Sequence, residues 1–153
     1  MGVHQQGVQF LVDRGKIERL TPNLANARHL VREARRHLAS AHVLASTDDV
    51  SAAFVTAYDA ARKALTAILA VQGLRTKGGD GGHTVLLDVV RPQFPDCRAV
   101  LLRFNWLRNV RNNTQYPDVE RPTATTEDVS TAIPAATQIV DLAEAFLSQH
   151  DST

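Results

Sequence analysis

The sequence predicts an all-α fold, an antiparallel bundle of four to five helices. Three observations carry this expectation. Apolar residues recur at helical spacing four or five times along the chain. No segment alternates apolar and polar residues over strand length, and aromatic residues are only 5% of the composition, which leaves little material for a sheet.

The first long helix is expected to open at Thr21-Pro22, a cap residue followed by proline at the first helical position. Its apolar stripe is Leu30, Val31, Ala34, Leu38, Ala41 and Ala45, with Arg28, Arg32, Arg35 and Arg36 mostly off it. Ser46 to Asp49 reads as a loop and cap. The second helix has the clearest pattern, with Phe54, Ala57, Tyr58, Ala61, Leu65, Ile68 and Leu69 on one face. Asp59 and Lys63 lie four apart on another face, in the favourable order. Gly73-Leu74 supplies the glycine and the following apolar residue of a Schellman stop.

Arg75 to Gly82 holds four glycines and reads as the most flexible loop of the chain. A short helix follows from about His83 to Val90 and ends in the region of Pro92 and Pro95. The fourth helix turns Val100, Leu101, Phe104, Leu107 and Val110 inward and must stop near Tyr116, because Pro117 disfavours the α conformation before it. A last helix starts at Thr125 or Thr126, where Thr125 with Asp128 approximates a capping box. Pro134 lies inside it and is expected to kink or split it.

A chain of 153 residues fits one domain over 1–153, in which 1–20 is an N-terminal extension with a weaker helical pattern between about Gln5 and Leu20. With 44% hydrophobic and 22% charged residues the composition is globular and excludes disorder. A net charge of +1 means that bulk electrostatics would not hold the chain on nucleic acid or a membrane, so such binding needs a local patch. Cys97 stands alone and forms no internal disulfide, which points to a reducing compartment. No apolar run approaches the ~18 residues of a membrane span. Residues 1–9 carry no basic region followed by an apolar run, so the cytoplasm is the expected location.

Among chemical sites, no metal and no cofactor is expected. No HExxH motif occurs, and the spacing of His29, His37 and His42 does not align three ligands on one helical face. The glycine-rich segment KGGDGGHT lacks the P-loop pattern and any preceding strand, and Asp80 would repel phosphate, so it reads as a connector. The arginines of the first long helix read as a solvated face, with phosphate contact as the alternative. The end of the fourth helix is denser. Arg108, Arg111, Asn112 and Gln115 fall on one face at helical spacing; two guanidinium groups suit phosphate, and carboxamides suit base edges or backbone.

From about Ala27 to Phe146 the chain resembles the HEPN superfamily (higher eukaryotes and prokaryotes nucleotide-binding). The resemblance lies in the second helix (AYDAARKALTAILAVQGLR), in Gly81-Gly82-His83 at the start of the short helix, and in Arg111-Asn112 near the end of the next long one, within the ending RNxxxYP. It implies a HEPN-like bundle that forms a homodimer, with the two Arg-Asn helices facing one cleft. Active members carry an arginine followed after four to six residues by a histidine, and cleave RNA without a metal by attack of the ribose 2′-hydroxyl on the adjacent phosphate.

This sequence departs from that pattern. No histidine occurs between His83 and His150, and Tyr116 stands where the motif histidine would be. A tyrosine, with an ordinary pKa of about 10, is a poor base at neutral pH. The expectation is therefore an RNA- or nucleotide-binding module of a toxin–antitoxin, defence or stress system, with catalysis weak or lost. Arg111, Asn112 and Tyr116 would form its catalytic cleft, and Arg108, Gln115 and His83 would contact phosphate. A cognate antitoxin or regulatory protein is the expected further partner, and no membrane is. The alternatives are an active metal-independent endoribonuclease using Arg111 with Tyr116 or His83, and a helical protein-interaction domain without a ligand.

Overall fold

The computed structural model describes residues 3–77, 81–115 and 123–151. Within them the chain runs through α1 (Val3–Asp13), β1 (Ile17–Arg19), α2 (Leu24–Ala45), α3 (Val50–Val71), β2 (Leu74–Thr76), α4 (Gly81–Val90), α5 (Arg98–Gln115) and α6 (Thr126–Asp151). Two single 3-10 turns, Arg91–Gln93 and Pro95–Cys97, join α4 to α5, at the prolines where continued α-helix is disfavoured. The fold is all-α, as expected, with one small addition: β1 and β2 pair antiparallel, Ile17 opposite Thr76 and Arg19 opposite Leu74. Three residues per strand are too few to show a period-two pattern in the sequence.

The N-terminal segment is a helix and a strand, not one helix. Gly15 takes φ +70 in the turn between them, a left-handed conformation that ends α1. The start of α2 also differs from the expectation. Its cap is Asn23, whose Oδ1 accepts from the Asn26 backbone N–H at 2.9 Å, so Thr21 and Pro22 lie before the helix. Asparagine caps at least as well as threonine, and the later residue takes the position. At α3 the cap is Asp49, and at α6 the expected box forms: Thr125 Oγ1 accepts from Asp128 N–H while Asp128 Oδ2 accepts from Thr125 N–H.

α3 is the axis of the bundle. It buries residues on almost every turn, and six of them (Ala53, Ala57, Ala60, Ala61, Ala64, Ala67) are alanines that let α2 and α6 pack closely. α2 contributes the stripe Ala27, Val31, Ala34, Leu38 and Ala41. Its first residues meet the end of α3, where Asn23 N–H donates to Ala70 O and Leu20 N–H to Gly73 O, so α2 and α3 are antiparallel. Arg35 on α2 reaches Asp141 and Glu144 on α6 at 2.7 and 2.9 Å and ties those helices across the surface. Gly73 closes α3 with φ +73, and its N–H donates to Ala70 O as the expected stop requires.

Of the kink or split expected at Pro134, the split does not occur: α6 runs as one helix through it. Pro134 and Ser130, whose carbonyl the missing N–H would have met, are both exposed, so water can replace the lost hydrogen bond. At the C-terminal end of α3 a reciprocal amide pair, Gln72 with Gln93, fastens the first 3-10 turn to the core. α4 packs Val85, Leu86, Leu87, Val89 and Val90 inward, and α5 packs Leu101, Phe104 and Leu107. Both helices meet α3 at the same level, and this brings their polar residues together.

Candidate functional site

Tyr58 is the centre of that meeting. It lies on the buried face of α3 with no exposed surface, and its ring stacks on Phe104 of α5 at 5.4 Å between centroids and 18° between planes. Such a ring fits the apolar stripe that the sequence shows, but its hydroxyl needs a polar partner. His83, in the first turn of α4, supplies one: the Tyr58 hydroxyl oxygen is 2.6 Å from His83 Nδ1, and the two rings are 5.7 Å apart. The Arg111 guanidinium also lies over the Tyr58 ring, Cζ 5.6 Å from its centroid, within cation–π range.

Burial pushes the Tyr58 pKa up to about 12 against the opposing charges of Arg111, Arg62 and Arg108. Desolvation therefore wins over three nearby cations, and the hydroxyl stays protonated at neutral pH. The same arginines make the neighbourhood of Tyr58 electropositive. Asp59 is the acidic group nearby; it lies 3.7 Å from Arg62.

The arginines of α5 are held by their sequence neighbours. Arg111 Nη1 donates to Asn112 Oδ1 at 3.2 Å, and Arg108 Nη2 donates to Asn109 Oδ1 at 3.3 Å. Both side chains are half-buried, and the Nε donor of each is buried without a hydrogen-bond partner among the described residues. A buried donor left unmatched costs about 1–3 kcal/mol, more when charged. Donors fixed at such a place are completed by an anion, and arginine matches phosphate or carboxylate oxygens in a bidentate fork.

The structure thus brings Arg111, Asn112, Arg108 and His83 together around Tyr58. Gln115 is the last residue of α5, and its side chain lies outside the described residues, as do Tyr116 and the loop residues 78–80. Two residues of the cluster were not legible as such in the sequence. Tyr58 reads as core because its spacing is that of the apolar stripe. Arg62, four residues further on, belongs to no motif or pair that the sequence singles out. The one available signal was the pair itself, a tyrosine and an arginine one helical turn apart on a helix otherwise rich in alanine.

The other basic feature has a different use. Of the arginines on α2, Arg35 joins α6 and Arg36 lies 3.6 Å from Glu33 on its own helix. His37, also on α2, has Nε2 2.9 Å from Lys63 Nζ. Among the described residues no group of three or more His, Cys, Asp or Glu side chains is placed to hold a metal ion. No helix among them is long and apolar enough to cross a membrane.

Comparison with known families decides what this scaffold is. A family model described as the HEPN domain matches residues 27–146, most of the chain. The chain belongs to the HEPN family. No curated protein and no solved structure matches it. The matched span runs from the first buried residue of α2 to the last turns of α6 and contains every member of the Tyr58 cluster. HEPN membership makes this a nucleotide- or RNA-related module in general terms, on a fold whose members often dimerise.

Proposed function

We propose that this HEPN protein binds RNA or a nucleotide through phosphate at the Tyr58 cluster, with Arg111 as the principal contact and any cleavage activity weak or lost. The observation that carries the reading is the convergence of Arg111 and His83 on one buried tyrosine, beside arginine Nε donors with no partner among the described residues. Arg111 supplies charge and a planar fork; Asn112 holds that fork in place; Arg108 and Arg62 raise the local potential. Tyr116 and Gln115 belong to the same proposed cleft. The protein acts as a homodimer in the cytoplasm with the two α5 helices across the cleft, as part of a toxin–antitoxin, defence or stress system, where a cognate antitoxin or regulator would bind it.

A second reading, a metal-independent endoribonuclease, is favoured by one observation: His83 shares Tyr58 with Arg111, so an imidazole and a guanidinium meet on one side chain. One experiment separates the two. Purified protein and an Arg111→Ala variant are incubated with mixed single-stranded RNA, and cleavage and retardation are read in parallel. The binding reading expects retardation that weakens roughly tenfold or more in the variant, as loss of a charged hydrogen-bonding contact should, with no cleavage by either protein. Arg111-dependent cleavage would support the second reading. Absence of both effects would leave a helical interaction domain without a nucleic-acid ligand.

A further inference from the structure

A second charged surface lies on helices that contribute nothing to the Tyr58 cluster. Between α2 and α6 runs a groove of about 470 Å³, with arginines along its α2 wall and the buried side chains of Val31 and Leu147 at its floor. Arg28, Arg32 and Arg36 follow one another at intervals of four residues on α2, so each step rises about 6 Å along the helix axis. Their surroundings differ. Arg35, between the last two, is taken up by Asp141 and Glu144 of α6 at 2.7 and 2.9 Å. Arg28 is engaged within the protein. Arg36 stands 3.6 Å from Glu33, too far for a hydrogen bond, and its side chain is 73% exposed. Arg32 is exposed and makes neither a hydrogen bond nor an ion pair with any described residue.

We propose that this groove docks an acidic helical segment of a partner protein, in which carboxylates one turn apart pair with Arg32 and Arg36 and an adjacent aliphatic side chain covers Val31 and Leu147. The inference goes beyond the phosphate-binding reading of the Tyr58 cluster and does not depend on it. A groove between two helices, apolar at its floor and charged at its rim, has the form that takes an amphipathic helix. All α-helices share one rise per residue, so acidic residues at i and i+4 of the guest meet Arg32 and Arg36 in register. The planar fork of arginine suits a carboxylate. The rim also argues against a nucleic acid. Glu33, Asp141 and Glu144 stand beside these arginines. A nucleic acid carries a charge at every phosphate, so its backbone would press some of them against the three carboxylates and give the apolar floor nothing to cover it. A peptide sets each charge separately and leaves the acidic parts of the rim alone.

The test begins with the unmodified full-length chain, screened against a displayed library of random peptides of about 16 residues, enough for four helical turns. Enriched peptides are expected to carry Asp or Glu four residues apart beside Leu, Ile or Val. Titration of one such peptide into ¹⁵N-labelled protein is expected to shift the backbone amides of residues 31–36 and 144–148. No enrichment, enrichment without acidic pairs, or shifts confined to other helices overturn the proposal.

Charge reversal supplies the second arm. In the double variant Arg32→Glu, Arg36→Glu, affinity for the selected peptide is expected to fall roughly tenfold or more, as two ion pairs become repulsions. The same peptide with lysine in place of both acidic residues is expected to bind this variant better than the wild type. Undiminished binding of the acidic peptide, or no gain from lysine in a variant whose thermal melt matches the wild type, overturns the proposal; where the melt departs, the shifts in the wild-type chain decide. If the double variant instead loses retardation of single-stranded RNA, the groove is a nucleic-acid face and the peptide reading fails. Arg111→Ala is expected to leave peptide binding unchanged, so this proposal and the reading of the Tyr58 cluster fail separately.

Discussion

Tyr58, Arg111 and His83 come from three helices, and each residue type is there for a different physical reason. The tyrosine ring belongs to the core; its hydroxyl is what makes the core polar at one point. Arg111 keeps a charged fork at the edge of that core because Asn112, the next residue, accepts from it. A second titratable contact lies elsewhere, where His37 Nε2 on α2 meets Lys63 Nζ on α3. Burial, then the nearby Lys63 charge, lower the His37 pKa below its ordinary value. The unfolded chain therefore binds this proton more readily than the folded one. Stability from this contact is complete above the ordinary histidine pKa of about 6.5 and declines as pH falls from there towards the lowered folded value. Urea midpoints measured between neutral and mildly acidic pH are expected to drop through that window, and a His37→Gln variant is expected to show a flatter profile.

At the scale of elements, the capping residues and glycines decide where each helix ends. Gly73 is the sharpest case. Its φ of +73 is left-handed, and a Cβ added there would lie 2.4 Å from the Leu20 carbonyl oxygen, a backbone atom that β1 and the approach to α2 hold in place. Gly73→Ala is expected to destabilise the fold by about 2 kcal/mol or more, since backbone strain and a clash add. Chemical denaturation checks this, and a loss below 0.5 kcal/mol, the scatter of ordinary surface changes at about that size, would show that the turn can relax. The boundaries of α3 and the start of α6 were legible in the sequence because their signals are local: Asp49 and Thr125 as caps, Gly73 as a stop. The start of α2 was less so, since Thr21 and Asn23 both cap well and only the chain's approach along α3 selects between them. Pro134 leaves α6 unsplit for a related reason. Its effect depends on whether the carbonyl it leaves unmatched faces water, and the sequence does not state that.

For the whole molecule, the proposed homodimer is the property that most alters the site, because two α5 helices facing each other would double the arginines and enclose the phosphate. Light scattering on the purified chain is expected to give a mass near twice the 16.7 kDa of one chain. A monomer at micromolar concentration would remove the shared cleft from the proposal and leave each Tyr58 cluster to bind alone. The α2–α6 tie through Arg35 lies on helices that flank α3 away from α4, and being exposed it contributes little to stability, about 1 kcal/mol or less.

The sequence by itself determined the helical class, the number and order of the long helices, and the prominence of Arg108, Arg111 and Asn112, because periodicity, caps and polar clusters are local properties of a chain. It also showed that no histidine follows Arg111 at the spacing of the active HEPN motif. Only the tertiary structure decided what Arg111 is paired with. Tyr58 and His83 lie 25 residues apart, Arg111 lies still further along the chain, and no periodicity links the three. Their meeting follows from how α4 and α5 pack against α3. That packing makes the hydroxyl of Tyr58, on the buried face of α3, the point on which the proposed site is built.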